Sequence, residues 1–204
     1  AIGATAIAGL VVYAAHGQVA WVTGAIMAVT SMLGARLGAR LAARTSHRGL
    51  TRAFAIFLVL VAARMLWKTP DGAGAPALEG GLGAAVALGV GAAVGLLAGF
   101  MGVGGGLLAV PALVLLFGVS QQTAQGTSLA LILVTAPVGA IEHHRHGNVV
   151  VRLLPYLALG ALLGAPIASA LALRLPQSVL ARGFAIFLIA NAANSWIRAA
   201  RASR

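Results

Sequence analysis

Long apolar runs, interrupted by short polar or glycine-bearing breaks, organise the chain from end to end. Ala1 to Ala15 stops at His16-Gly17-Gln18, Val19 to about Arg44 stops at Thr45-Ser46-His47, and Leu50 to Trp67 gives way to Lys68-Thr69-Pro70-Asp71-Gly72. After a linker reaching Glu79, Leu82 to Phe100 meets a glycine cluster, Leu107 to Gly118 follows, and Gln121 to Ile141 ends at Glu142-His143-His144-Arg145-His146. About Val151 to Leu173 and Ser178 to Ile197 complete the series. Most of these runs approach the ~20 residues a helix needs to cross a hydrocarbon core, so the pattern predicts a polytopic, all-α membrane protein. Leu107 to Gly118 is short enough to be a half-helix or a re-entrant segment.

Composition excludes a water-soluble globule. The chain is 60% hydrophobic and 8% charged, against roughly 25% charged in an average soluble domain. Gly80 to Ile141 contains no Asp, Glu, Lys, Arg or His. The net charge of +11 sits in short segments between apolar spans, which the positive-inside rule explains better than a nucleic-acid surface. With no cysteine, disulfides, thiol catalysis and Cys-ligated metals are excluded. Ala1 lies within an apolar run with no basic segment ahead of it, unlike a signal peptide, so a fragment is expected.

An internal repeat appears when each residue is compared with the one 130 positions later. Phe54 to Leu58 falls on Phe184 to Leu188, Arg52 on Arg182, Arg44 on Arg174, Gly34-Ala35 on Gly164-Ala165, and His16-Gly17 on His146-Gly147. Shared apolar composition aligns leucines and alanines by chance, but not His-Gly turns and arginines as well. The chain thus divides into 1–68, the rear part of a first transmembrane repeat; 69–81, a polar linker; 82–198, a second repeat; and 199–204, a basic tail. Leu82 to Ala130 has no partner, and about 50 residues are expected ahead of Ala1 if the repeats are equally long.

Arg36, Arg40, Arg44, Arg48 and Arg52 flank the Thr45-Ser46-His47 turn, which places that end in the cytoplasm. Counting Leu82 to Phe100 and Leu107 to Gly118 as separate crossings puts ten basic residues inside and four outside, whereas one broken crossing gives seven on each side. The turns at His47 and His146 and the C-terminus are therefore expected inside, with Asp71 and Gln177 outside. An odd number of crossings per repeat turns the second copy upside down. The expected fold is a polytopic helical membrane protein with inverted-topology internal repeats, the first truncated at its N-terminus.

The break at Gly102, Gly104, Gly105 and Gly106 interrupts a helix at membrane depth, where nonhelical backbone persists only if protein or a water-filled cavity satisfies it. Glycines let backbone approach a ligand closely, and the N–H groups opening the next helix favour an anion. Tight helix packing is the plainer use of glycine, and Gly91-x-x-x-Gly95-x-x-x-Gly99 suits it. Downstream, Gln121-Gln122-Thr123-Ala124-Gln125-Gly126-Thr127-Ser128 supplies neutral hydrogen-bonding groups. Thr123 suits a helix cap, while Gln125, Thr127 and Ser128 are candidate ligand contacts, the last two unless their hydroxyls bond their own backbone. Asn191 and Asn194 are candidates within the last span, with interhelical hydrogen bonding as the competing use. Glu142 and His146 stand four apart as metal ligands do, but only His146 has a repeat partner, which favours a solvated turn. Trp21, Trp67 and Trp196 suit interface anchors.

Gly102-x-Gly-Gly-Gly106 followed by Pro111-Ala-Leu, then Ala124-x-Gly-Thr-Ser128 and His146-Gly-Asn, resembles the TauE/SafE family of sulfite exporters and organosulfonate permeases. The resemblance covers the whole chain, with 82–198 similar to a complete second half and 1–68 to the rear of a first half. It implies a multi-pass carrier of the bacterial inner membrane for sulfite, sulfonates or related anions, with no catalysis and no cofactor. The partners implied are a small anion, the lipid bilayer and possible further copies of the chain; nucleic acid is excluded. A passive anion channel and a membrane enzyme using the Glu142 to His146 turn are the alternatives.

Overall fold

The computed structural model describes residues 2–42, 47–67, 80–101, 105–145 and 154–201. Among these the regular elements are all helices: α1 (Ile2–Ala15), α2 (Trp21–Ala42), α3 (His47–Trp67), α4 (Gly80–Met101), α5 (Gly106–Phe117), α6 (Gln121–Arg145), α7 (Leu154–Arg174) and α8 (Gln177–Arg201). Four described helices, Trp21–Ala42, Gly80–Phe100, Leu154–Arg174 and Gln177–Ile197, are long and apolar enough to cross a membrane. The order matches the apolar runs. Boundaries differ at the polar ends: α3 opens at His47 within the expected turn, α8 runs on to Arg201 in the expected tail, and α6 continues through Glu142 to Arg145, where a turn is expected from the polarity. Polarity marks where a helix leaves an apolar layer, but Glu, His and Arg do not break the helix itself.

The helices gather at two ends. At one, Thr123 on α6 donates to Gln18 Oε1 between α1 and α2 (2.7 Å), and Gln122 Nε2 donates to the Leu175 carbonyl between α7 and α8 (3.2 Å). From this end α2 and α4 run away side by side in the same direction. Gly91, Gly95 and Gly99 lie against the backbone at Met27, Ser31 and Ala35, and Gly34 and Gly38 answer them against Ala92 and Leu96. A β-carbon on any of these glycines would strike a backbone carbonyl, so the two helices are in direct main-chain contact, as glycines at four-residue spacing permit. Thr30 Oγ1 strengthens the seam by donating to the Leu88 carbonyl at 2.7 Å.

α3 and α8 pair in opposite directions, and residues 130 positions apart are buried on both: Ala55, Leu58 and Ala62, and Ala185, Leu188 and Ala192. The Arg52 guanidinium stands over the Trp196 ring at 5.8 Å, which ties the start of α3 to the end of α8 at the second end of the bundle. α1 packs on α6 and α7, and α6 packs on α1, α2 and α5. Trp21, Trp67 and Trp196 stay on the outside of the bundle.

Candidate functional site

α5 has 12 residues, about 18 Å of helix, too short for a hydrocarbon core of about 30 Å. It returns from the far end of α4 toward the end where α6 begins, so α4 and α5 run in opposite directions. Its start is level with the body of α4: a β-carbon on Gly105 would lie 3.1 Å from Val94 Cγ1 and 3.3 Å from Ala98 Cβ. Gly105 takes a left-handed conformation (φ 79°, ψ −16°) that admits glycine with ease. Its carbonyl accepts from the N–H groups of Leu108 (3.1 Å) and Ala109 (3.0 Å). The N–H groups of Gly106 and Leu107 come too early for an intrahelical acceptor and carry the positive end of the α5 dipole.

Across from this start stands α6. A β-carbon on Gly106 would lie 3.2 Å from Ile132 Cδ1 and 3.9 Å from Ser128 Oγ, so Gly106 turns toward α6 as Gly105 turns toward α4. Ser128 is buried and its hydroxyl donates to the Gln125 carbonyl at 2.9 Å. One turn away, Gln125 Oε1 accepts from the Tyr13 hydroxyl at 2.6 Å. That bond commits the amide oxygen to α1 and leaves Nε2, with two N–H donors, for another acceptor. Gly105, Gly106 and Ser128 thus meet between α4, α5 and α6, while the Gln125 side chain reaches to α1. None of them is charged, and every donor is a neutral dipole.

Thr127 serves a different neighbour. Successive residues on a helix are about 100° apart, so it faces α2 while Ser128 faces α5. Its Oγ1 accepts from the Ala20 N–H at 2.9 Å and donates to the Thr123 carbonyl at 2.7 Å, which caps the start of α2. Ser120, not Thr123, caps α6: the Thr123 N–H donates to Ser120 Oγ at 3.0 Å. Asn191 Nδ2 donates within α8 to the Phe187 carbonyl at 2.8 Å, and no interhelical bond of Asn191 is seen among the described residues. Asn194 is exposed, and α8 packs on α3 and more lightly on α6, away from the start of α5. Gly102, Gly104 and His146 lie outside the described residues, as do the side chains of Glu142 to Arg145. Among the described residues, no group of three His, Cys, Asp or Glu is placed to hold a metal ion.

Sequence reading missed Tyr13 and Gln18. Tyr13 lies 112 positions from Gln125 and Gln18 lies 105 from Thr123, so only the folded topology reveals either pairing. The available signal was a lone phenol in an apolar run and a polar residue after the His16-Gly17 turn. Gly126 shows the same junction from the other side, because a β-carbon there would strike the Gln18 carbonyl and approach Tyr13 Cβ at 2.8 Å.

The bundle defines a class: a polytopic helical membrane protein with a short helix starting at depth. The family model described as sulfite exporter TauE/SafE matches residues 1–65 and 86–204. The chain belongs to the TauE/SafE family. It is 37% identical over 107 residues to a probable membrane transporter protein of Haemophilus influenzae, covering 49% of this chain and 40% of that one. A probable membrane transporter protein of Bacillus subtilis is 31% identical over 137 residues, covering 56% of this chain and 49% of the relative. One of Xylella fastidiosa is 30% identical over 199 residues, covering 94% of this chain and 75% of the relative. The chain matches about half or less of the length of the first two. No solved structure matches the chain.

Proposed function

We propose that this chain is part of a secondary transporter for small sulfur-containing oxyanions in a bacterial cytoplasmic membrane, with the anion held at the start of α5. The observation that carries the reading is Gly105-Gly106: a helix N-terminus at membrane depth, beside the Ser128 hydroxyl. Backbone N–H groups at such a terminus attract an oxyanion, and discontinuous helices serve this purpose in secondary transporters. Neutral dipoles also suit a carrier, which must release what it binds. Thr127 acts on the site indirectly, by fixing the start of α2 through Ala20.

We also infer an inverted repeat. It is supported by the aligned residues and by the course of α2 and α7, which run in opposite directions between the same two ends. The family description and the relatives' names support transport, and the oxyanion class follows the family description. Sulfite binding and uptake by the purified, reconstituted protein test the proposal. Ser128→Ala and Gly106→Val are expected to weaken sulfite binding in folded protein, the first by about tenfold for the hydrogen bond the Ser128 hydroxyl makes once it turns from the Gln125 carbonyl to the charged ligand. Unchanged affinity in both removes the α5 start from the site. Saturable uptake against a gradient separates a carrier from a passive channel.

A further inference from the structure

Gln121 opens α6 fully buried, and neither its Nε2 nor its Oε1 has a hydrogen-bond partner. An amide buried with both halves unmatched is costly, whereas methionine fills similar space without that penalty. The position is in register with the candidate site. Residues 121, 125 and 128 recur at steps of four and three, so Gln121, Gln125 and Ser128 share one face of α6. Gln121 sits about 10 Å along the helix from Ser128, nearer the end of the bundle that holds Gln18 and Leu175. It also belongs to the first turn of α6, where the Thr123 and Ala124 N–H groups are taken by Ser120. The N–H groups of Gln121 and Gln122 precede any intrahelical acceptor, so the dipole there favours an anion as it does at α5.

We infer that Gln121 is a second contact for the transported oxyanion, met between that end of the bundle and the glycine break, and that its preferred ligand carries a hydrogen-bond donor of its own. An oxyanion with acceptors alone satisfies Nε2 but sets its lone pairs against those of Oε1. One bearing an O–H or an N–H satisfies both halves of the amide. Hydrogen sulfite and an aminoalkanesulfonate share this chemistry; methanesulfonate lacks it. The inference rests on the reading of the α5 start as the anion site.

The test measures binding of hydrogen sulfite, an aminoalkanesulfonate and methanesulfonate to the full-length purified protein and to Gln121→Met and Ser128→Ala. Gln121→Met is expected to melt at a higher temperature and to bind both donor-bearing ligands about tenfold more weakly, with methanesulfonate unchanged. Whichever donor-bearing ligand the unmodified protein binds identifies the source of the donor. Unchanged affinity for all three ligands, or an equal loss for all three, overturns the inference. So does a lowered melting temperature with intact binding, which marks a purely structural amide. Gln121→Leu serves the same comparison if methionine does not pack. Ser128→Ala, measured beside Gly106→Val, reports separately: if both leave all three affinities unchanged, the anion site at α5 fails, whatever Gln121→Met does.

Discussion

α2 and α7 carry aligned sequence in different surroundings. Gly34-Ala35 of α2 corresponds to Gly164-Ala165 of α7, yet Gly34 is pressed into the backbone of α4 while nothing lies within 4 Å of the place where a Gly164 β-carbon would stand. Of the α2 span 39% is buried, against 6% of the α7 span. α7 keeps Ser169 buried, beside Gly9 of α1, and exposes Gly160, Gly164 and Ala168. Small residues therefore permit close approach without causing it. A second helix with its own four-residue spacing is needed, because lipid is as apolar as the side chains and gives no hydrophobic push toward association. α4 provides that spacing for α2 through Gly91, Gly95 and Gly99.

The contrast is sharpest when one substitution is made at both aligned glycines. Gly34→Leu is expected to force α2 from α4, since its β-carbon would meet the Leu96 amide nitrogen at 2.8 Å, and to cost about 3 kcal/mol or more. In the 204-residue chain Gly164→Leu meets open space and is expected to leave thermal unfolding in detergent almost unchanged. Equal losses in a longer protein would mean that a counterpart of α4 covers α7 as tightly as α4 covers α2, as the inferred inverted repeat requires. A smaller effect comes from writing α7 into α2. Gly38→Ala installs the residue that α7 has at its aligned position, Ala168, and is expected to lower stability by about 1–3 kcal/mol, because a backbone carbonyl stands in the way. The reverse change, Ala168→Gly, disturbs no contact across the exposed face. It should cost about 1 kcal/mol or less, the helix-propensity difference alone, again read as a shift in unfolding temperature.

The sequence was informative wherever the bilayer constrains composition. Runs of apolar residues located the helices to within a few positions, whereas the pairing of α3 with α8, which buries Leu58 and Leu188, had no signal in the sequence. The Gly91 to Gly99 spacing was legible as packing because main-chain contact demands it on one face. The candidate site was legible only in part. Gly105 and Gly106 stood out as breaks, but nothing local separates Thr127, which caps α2, from Ser128, which faces Gly106. That division depends on which neighbour lies on each side of α6. Asn191 shows the same limit: an amide in an apolar span suggests a partner helix, yet the carbonyl one turn back is nearer.

α5 hangs between two left-handed glycines, Gly105 at its start and Gly118 (φ 64°) at its end. This has a consequence at the level of the gene. Asparagine is the side-chain-bearing residue that best tolerates such angles, and no glycine codon becomes an asparagine codon by a single base change. Most one-step neighbours, including alanine, valine, serine and arginine, place a β-carbon where the backbone resists it. The two codons that bracket α5 therefore have few silent exits at the protein level. Mutational drift around the short helix is expected to accumulate between these glycines and leave the glycines themselves in place.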